Sequence, residues 1–228
     1  ILIPTNLFAA GHGYLKRQLA TPKTLTAIGT DAVVPQLGVA RKPKLLVLAI
    51  GETARSANFS LNGYHKDTNP FTAKEEGLVS FQDIRSCGTA TAVSVPCMFS
   101  NMGRNEFDGN KARNRENLLD VLQHTQVSVL WKENDGGCKD VCSRVSTIEI
   151  NPSDYPSLCD KQTCHDEVML ENLKAEVASM QGDKLVALHL IGSHGPTYYK
   201  RYPDAHRQFT PDCPRSDIEN CTDEELTN

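Results

Sequence analysis

The sequence predicts an α/β domain, a mostly parallel sheet with helices on both faces. Three observations predict it. Continuous apolar runs recur along the chain, each closed by Gly or a polar turn. Helical periodicities lie between them, and no internal repeat or low-complexity tract points to another architecture. Apolar runs without alternation suit strands buried on both faces. Strands that alternate with helices make a parallel sheet.

Residues 1–43 read as a linker or amphipathic extension. Pro4-Thr5 opens a helix to about Ala20, with Phe8, Leu15 and Leu19 on one face and Lys16, Arg17 and Gln18 turned away. Pro22, Pro35 and Pro43 punctuate the rest, and an irregular wrap over the main domain is an equal reading. The main domain, residues 44–228, starts with the run 45–50, ending at Gly51. Residues 127–131 and 185–191 are further strands, and 78–81 a weaker one. Helices are expected over 91–98, shortened or kinked by Pro96, and over 115–124 and 167–180.

The chain has 228 residues, with 24 Lys+Arg against 28 Asp+Glu, a net charge of −4. That excludes a strongly basic nucleic-acid binder, so no nucleic-acid partner is expected. No run of 18 apolar residues offers a membrane span. The first residue is Ile1, and residues 1–15 lack the basic start and cleavage site of a signal peptide, so a piece of a longer protein is expected.

Eight cysteines fall into close pairs, Cys87/Cys97, Cys138/Cys142, Cys159/Cys164 and Cys213/Cys221. Local disulfides in an oxidising compartment, bracing surface loops, are the simplest reading. The Cys138-Lys-Asp-Val-Cys142 spacing also suits zinc, but the other pairs differ and none is a CxxC knuckle.

In open α/β sheets ligands bind beyond the carboxyl ends of the strands. There stand Glu52, the turn from Cys87 to Thr91, the segment from Glu133 to Lys139, and Ser193-His194-Gly195-Pro196. Thr91 opens a helix, where free amides and the positive dipole end favour a phosphate. Thr89 or Thr91 is alternatively a plain N-cap. Glu52 is a metal ligand, a helix-starting charge or a partner of Arg55, and His194 a site residue or a loop bridge. His189, inside an apolar strand, reads as a satisfied core histidine, and His12, His65, His124, His165 and His206 as surface residues. A carboxylate and a hydroxyl at one metal make the hydroxyl a nucleophile toward phosphorus, with Lys139 and His194 serving the other oxygens or the leaving group.

The segments 50–55, 58–60 and 62–64, Ser86 to Ser100, Trp131 to Lys139 and 192–196 together resemble the lipid A phosphoethanolamine transferases, which include the mobilised colistin resistance enzymes. The resemblance runs from about Ile3 to the end of the chain. It implies an alkaline-phosphatase-like fold of the sulfatase superfamily, Zn²⁺ as cofactor, phosphatidylethanolamine as donor and lipid A as acceptor. It further implies an inner-membrane parent whose soluble domain faces the periplasm. Glu52 matches a zinc ligand, and Thr91 both a ligand and the nucleophile. Lys139 and His194 match positions beside the bound phosphoethanolamine, and Thr89 and Asn117 positions around the same pocket. The family's other two zinc ligands lie in an Asp-His-Gly motif, and this chain has no Asp-His pair. A fragment without membrane helices or the C-terminal part of the domain is therefore expected, inactive alone, with an open sheet edge. The alternatives are a phosphatase- or sulfatase-type hydrolase and a non-catalytic truncated piece.

Overall fold

The structure, a computed structural model, describes residues 4–18, 24–35 and 41–228. Four strands, β1 Leu45–Ile50, β2 Ser128–Glu133, β3 Ser146–Glu149 and β4 Lys184–His189, form one parallel sheet in the order β1-β4-β2-β3. The helices are α1 Pro4–Gln18, α2 Thr91–Phe99, α3 Gly109–Arg113, α4 Leu118–His124, α5 Leu173–Ser179 and α6 Asp223–Thr227. Among the described residues no helix is long and apolar enough to cross a membrane.

Side chains alternate across the sheet and feed two cores. Val129, Trp131, Leu185 and Ala187 meet Val95 and Phe99 of α2 and Leu119 of α4 on one face. Leu130, Val186 and Leu188 meet Val168, Met169, Leu173 and Val177 on the other. Helices on both faces of a parallel sheet are the expected architecture. The buried Lys132 is satisfied by the Glu171 carbonyl at 2.6 Å and the Glu176 carboxylate at 3.0 Å.

Several elements depart from expectation. β1 is not buried on both faces: Leu45, Leu46 and Val47 are 49%, 61% and 45% exposed, because among the described residues β1 pairs with β4 alone. It is thus an open apolar edge. Residues 78–81 form no strand, and Leu78, Val79 and Phe81 lie exposed. The fourth strand is β3 instead, with one apolar side chain in Ser-Thr-Ile-Glu. The helix expected over 167–180 is split into a 3₁₀ turn, Asp166–Leu170, and α5, with the left-handed Asn172 (φ 59°) between them. The helix expected from 115 starts at Leu118, because Asn117 and Asp120 form a capping box there. α1 matches the expected start, with Phe8 and Leu15 exposed. Leu19, Ala20 and Pro22 lie outside the described residues, as do the side chains of 16–18.

All four local disulfides are present. Their Cα separations are 6.3 Å for Cys87–Cys97, 5.7 Å for Cys138–Cys142, 3.9 Å for Cys159–Cys164 and 5.8 Å for Cys213–Cys221. The expectation that they only brace surface loops needs correction, since Cys97, Cys138, Cys142 and Cys164 are buried. Cys213 and Cys221 come closest to that role, yet both are half-buried rather than exposed. Cys221 closes the 3₁₀ turn Ile218–Asn220, its amide donating to the Ile218 carbonyl at 3.1 Å, so the bridge fixes the chain just before α6. Among the described residues no cysteine is free.

Phe99 packs edge-on against Trp131 at 5.6 Å and locks α2 to the sheet. Phe99→Ala is expected to cost about 3–5 kcal/mol of folding stability, read from urea unfolding midpoints. A loss below about 1 kcal/mol would mean that α2 is held by other contacts.

Candidate active site

The carboxyl ends of β1, β4 and β2 are level: Ile50 pairs with His189, and His189 with Glu133. Glu52 and Asp135 each follow two residues beyond that row. Glu52 is held by its backbone, whose carbonyl accepts the Ser193 amide at 3.1 Å. Gly192, at φ 47°, packs so closely that a Cβ there would lie 2.7 Å from the Glu52 carbonyl oxygen and 2.8 Å from its nitrogen. Asp166 secures this turn, accepting the Ile191 and Gly192 amides on its two carboxylate oxygens at 2.8 Å.

Thr91 is the first residue of α2. The N-cap is Ala90, which makes no side-chain cap bond, so Thr91 is not the cap. Its hydroxyl donates to Glu52 Oε2 at 3.0 Å, while Thr53 donates to Oε1 at 2.7 Å. Sequence positions 39 apart thus meet at the amino end of α2. Glu52 makes no ion pair with Arg55 among the described residues. Thr89 lies exposed in the turn before α2, which Cys87–Cys97 ties to that helix.

Behind this pair is a buried polar layer. Glu133 accepts from Trp131 Nε1 at 2.8 Å and from the Asp135 amide at 2.6 Å, and pairs with His189 Nδ1 at 2.9 Å. His189 Nε2 faces the Asp135 carboxylate at 3.7 Å. His189 is therefore a satisfied core histidine, as its position in the strand suggested. Burial alone would raise the Glu133 pKa, but the bonds from His189 and Trp131 outweigh it and hold the carboxyl below its usual range. Asp135 is pushed up, first by burial and then, against the pull of His189, by the charge of Glu52. Asp135 and Asp166 were not singled out from the sequence. Asp135 had a signal, a carboxylate in the turn after a buried strand. Asp166 had none, because it serves amides 25 and 26 positions away.

Two clefts border this end of the sheet. One, about 550 Å³, is lined by Asp135, Gly136, His194 and Arg201. His194 is exposed there, its Nδ1 2.9 Å from the Gly195 carbonyl. The other, about 250 Å³, lies against Ala92 and Pro96 of α2 and contains Asn117 and Lys139. Lys139 Nζ donates to the Gly136 carbonyl at 2.9 Å. Asn117 is committed to structure, accepting from the Leu119 amide and donating to the Val141 carbonyl, both at 2.8 Å. The structure thus brings Glu52 and Thr91 into contact and distributes Lys139, Asn117 and His194 over the two clefts. Of the cysteines, Cys164 lines the larger cleft, whereas Cys213 and Cys221 line neither, so the Cys213–Cys221 bridge is structural and not part of the site. His12, His65, His124 and His206 are exposed and His165 half-buried.

Among the described residues no group of three His, Cys, Asp or Glu side chains forms a metal centre. Glu52 and Thr91 offer two oxygens, where zinc takes three or four protein ligands. These residues alone do not fit the zinc that the resemblance implies.

Residues 44–227 match the sulfatase family. The chain belongs to the sulfatase family. Within it, the chain is 44% identical over 228 residues to the phosphoethanolamine transferase EptA of Escherichia coli K12, covering 100% of this chain and 42% of that protein. It is 39% identical over 221 residues to the phosphatidylethanolamine transferase Mcr-1 of Escherichia coli, 93% of this chain and 40% of that one. The integral membrane EptA of Neisseria meningitidis superposes with a TM-score of 0.89 at 38% identity, over 99% of this chain and 42% of that structure. The chain therefore spans about two-fifths of the length of the curated relatives it matches. The matched residues include all four strands of the sheet.

The contact between Gly192 and Glu52 decides where the carboxylate sits. Gly192→Ala is expected to destabilise the fold by more than about 1 kcal/mol, since φ is positive and the new Cβ meets backbone. It is also expected to displace Glu52 from Thr91. Thermal melts and a crystal structure of the variant check this, and an unshifted Glu52 would show that the turn yields instead.

Proposed function

We propose that the chain is the nucleophile-bearing part of a zinc-dependent phosphoethanolamine transferase that acts on phosphatidylethanolamine and lipid A. The observation that carries this reading is the Thr91 hydroxyl, held by Glu52 at the amino end of α2. A hydroxyl bonded to a carboxylate has a proton acceptor at hand. The nearby α2 amides suit phosphoryl oxygens.

Thr91 Oγ1 attacks the phosphorus of phosphatidylethanolamine, and its proton passes to Glu52. The bond to the diacylglycerol oxygen breaks, and His194 supplies that oxygen's proton. Lys139 neutralises charge on the phosphoryl oxygens, Asn117 lines the same cleft as Lys139, and Thr89 is read as bordering the pocket by resemblance alone. The product of this half-reaction is phosphoethanolamine on Thr91. A lipid A phosphate then attacks the same phosphorus, the bond to Thr91 Oγ1 breaks, that oxygen takes its proton back from Glu52, and His194 regains its proton from the incoming phosphate or from water. Zinc, with Glu52 and Thr91 among its ligands, would lower the pKa of the hydroxyl. The added amine cancels negative surface charge and weakens the binding of cationic polymyxins such as colistin. The disulfides suit the periplasm, and the integral membrane relative supports a membrane-anchored parent, read here as an inner-membrane protein. The isolated chain, in which no further zinc ligands gather among the described residues, is read as inactive. The sulfatase match favours a second reading, a hydrolase in which water takes the second step.

A polypeptide carrying this domain at the relatives' full length, given radiolabelled donor, separates these readings. Label on lipid A supports the transferase, and label released to solution supports the hydrolase. Thr91→Ala is expected to lower label transfer by at least about 10³-fold, with folding stability changed by about 1 kcal/mol or less, since Thr91 is not a cap. Transfer near the wild-type rate would remove Thr91 from the mechanism.

A further inference from the structure

The turn that carries His194 is closed by an arginine from further along the chain. Arg201 follows the 3₁₀ turn Tyr198–Lys200, and its amide donates to the Tyr198 carbonyl at 2.9 Å. From there its guanidinium reaches back seven positions. Nε donates to the His194 carbonyl at 2.7 Å, and Nη2 donates to the Thr197 hydroxyl at 3.1 Å. Lys200 pairs with Asp160 at 3.3 Å, which anchors the base of the arginine to the Cys159–Cys164 loop. The other end of the turn is fixed separately. The His194 amide donates to the Ile191 carbonyl at 3.1 Å, and Asp166 holds the Ile191 and Gly192 amides. Among the described residues, Arg201 Nη1 is the one buried side-chain nitrogen or oxygen with no hydrogen-bond partner. Native folds rarely leave a buried donor unsatisfied, because it costs stability. An arginine retained at that cost points to a task other than holding the fold together.

We propose that Arg201 is a positioning residue for His194: it fixes the turn so that the Gly195 carbonyl takes the Nδ1 hydrogen and Nε2 is left to hand over the proton. The His194 ring is exposed, so hydrogen bonds and not packing must orient it. Its Nδ1 lies 2.9 Å from the Gly195 carbonyl oxygen. A carbonyl only accepts, so Nδ1 carries the hydrogen, and in the neutral ring Nε2 carries the lone pair. Free histidine favours the opposite tautomer. Arg201 holds the oxygen of the peptide that joins His194 to Gly195, and so sets the plane from which the Gly195 carbonyl projects. A charged donor makes that bond strong, and the planar guanidinium serves His194 and Thr197 at once. Tyr198 closes the turn from above, since a Cβ at Gly195 would lie 2.5 Å from its hydroxyl oxygen. That His194 donates a proton rests on the function proposed above; the clamp and the tautomer do not. In the first half-reaction the phosphorus–oxygen bond to diacylglycerol breaks, and its electron pair stays on that oxygen. The Nε2 proton of the imidazolium moves to the oxygen. Nδ1–H remains on the Gly195 carbonyl, and Nε2 is free to be reprotonated in the second step.

The test reads the tautomer and the turnover separately, on a polypeptide carrying this domain at the relatives' full length. Histidine labelled with nitrogen-15 reports the tautomer by NMR at about pH 8.5, above the ordinary histidine range, and the His194 signals are those lost in His194→Gln. In the wild type the neutral ring is expected to carry its hydrogen on Nδ1. Arg201→Gln is expected to shift the ring toward the Nε2–H form. Turnover is read as labelled headgroup leaving the donor lipid, so that transfer and hydrolysis count alike. Arg201→Gln should lower kcat about tenfold or more, part of the roughly 10²–10⁴-fold that a positioned general acid supplies, with KM within about twofold. A wild-type Nε2–H ring would overturn the proposal without any variant, so a variant that fails to fold does not shield it. A folded Arg201→Gln that keeps the wild-type tautomer, or the wild-type kcat, would overturn it too. A loss confined to KM would make Arg201 a substrate-binding residue instead, against the proposal. An Arg201-dependent Nδ1–H tautomer without turnover of the donor would sink the proposed function alone. Turnover with a wild-type Nε2–H ring would sink the clamp alone.

Discussion

The site depends on one hydrogen bond, from Thr91 Oγ1 to Glu52 Oε2 at 3.0 Å. Its two ends come from different layers of the fold. Glu52 continues β1 beyond the sheet, and Thr91 begins a helix packed on the sheet's face. The bond exists only because both are fixed independently. Phe99 and Val95 hold α2 against Trp131 and its neighbours. The turn after β4, clamped by Asp166, holds the backbone of Glu52 through Gly192 and Ser193. Groups placed on rigid elements keep the narrow geometry that chemistry needs.

Beneath the pair, the central strands carry a polar cluster of Trp131, Glu133, His189 and Asp135. Such clusters are costly when incomplete and rigid when satisfied. Here each carboxylate oxygen of Glu133 has a donor, and His189 is engaged on both ring nitrogens. The cluster keeps one acid, Glu133, charged, while burial first, and then the charge of Glu52, raises the pKa of another, Asp135, against the pull of His189. Charge at the sheet end is thus set by strands β2 and β4, not by the tips of loops.

Much of this was legible in the sequence, for physical reasons. β1, β2 and β4 are apolar runs, and β2 and β4 have partners on both sides. Glu52, Thr91, Lys139 and His194 stand just beyond strands or at a helix start, where α/β sheets bind ligands. The four disulfides follow from chain proximity, although the burial of their sulfurs does not. Other features were hidden. β3 offers one isoleucine among polar residues and pairs because β2 has a free edge, a tertiary cause. The run at 78–81 has strand-like residues but forms no strand and lies exposed, although β1 leaves an open edge. The exposure of β1 follows from strand order, which an apolar run does not encode. Asp166 is legible only once the turn after β4 is built, and the commitment of Asn117 to a capping box only once α4 begins at Leu118.

What the fold places around the pair is an asymmetry: His194, Asp135 and Arg201 on one cleft, Arg113, Arg115 and Arg144 on the other, and Lys139 of the second bonded to Gly136 of the first. The central claim is that Thr91 carries the group in transit. Peptide mapping by mass spectrometry tests it most directly, on full-length protein quenched after exposure to donor lipid without acceptor. A phosphoethanolamine adduct is expected on Thr91, and Glu52→Gln should abolish it. An adduct on another residue, or donor consumed with no adduct on the protein, would contradict the claim.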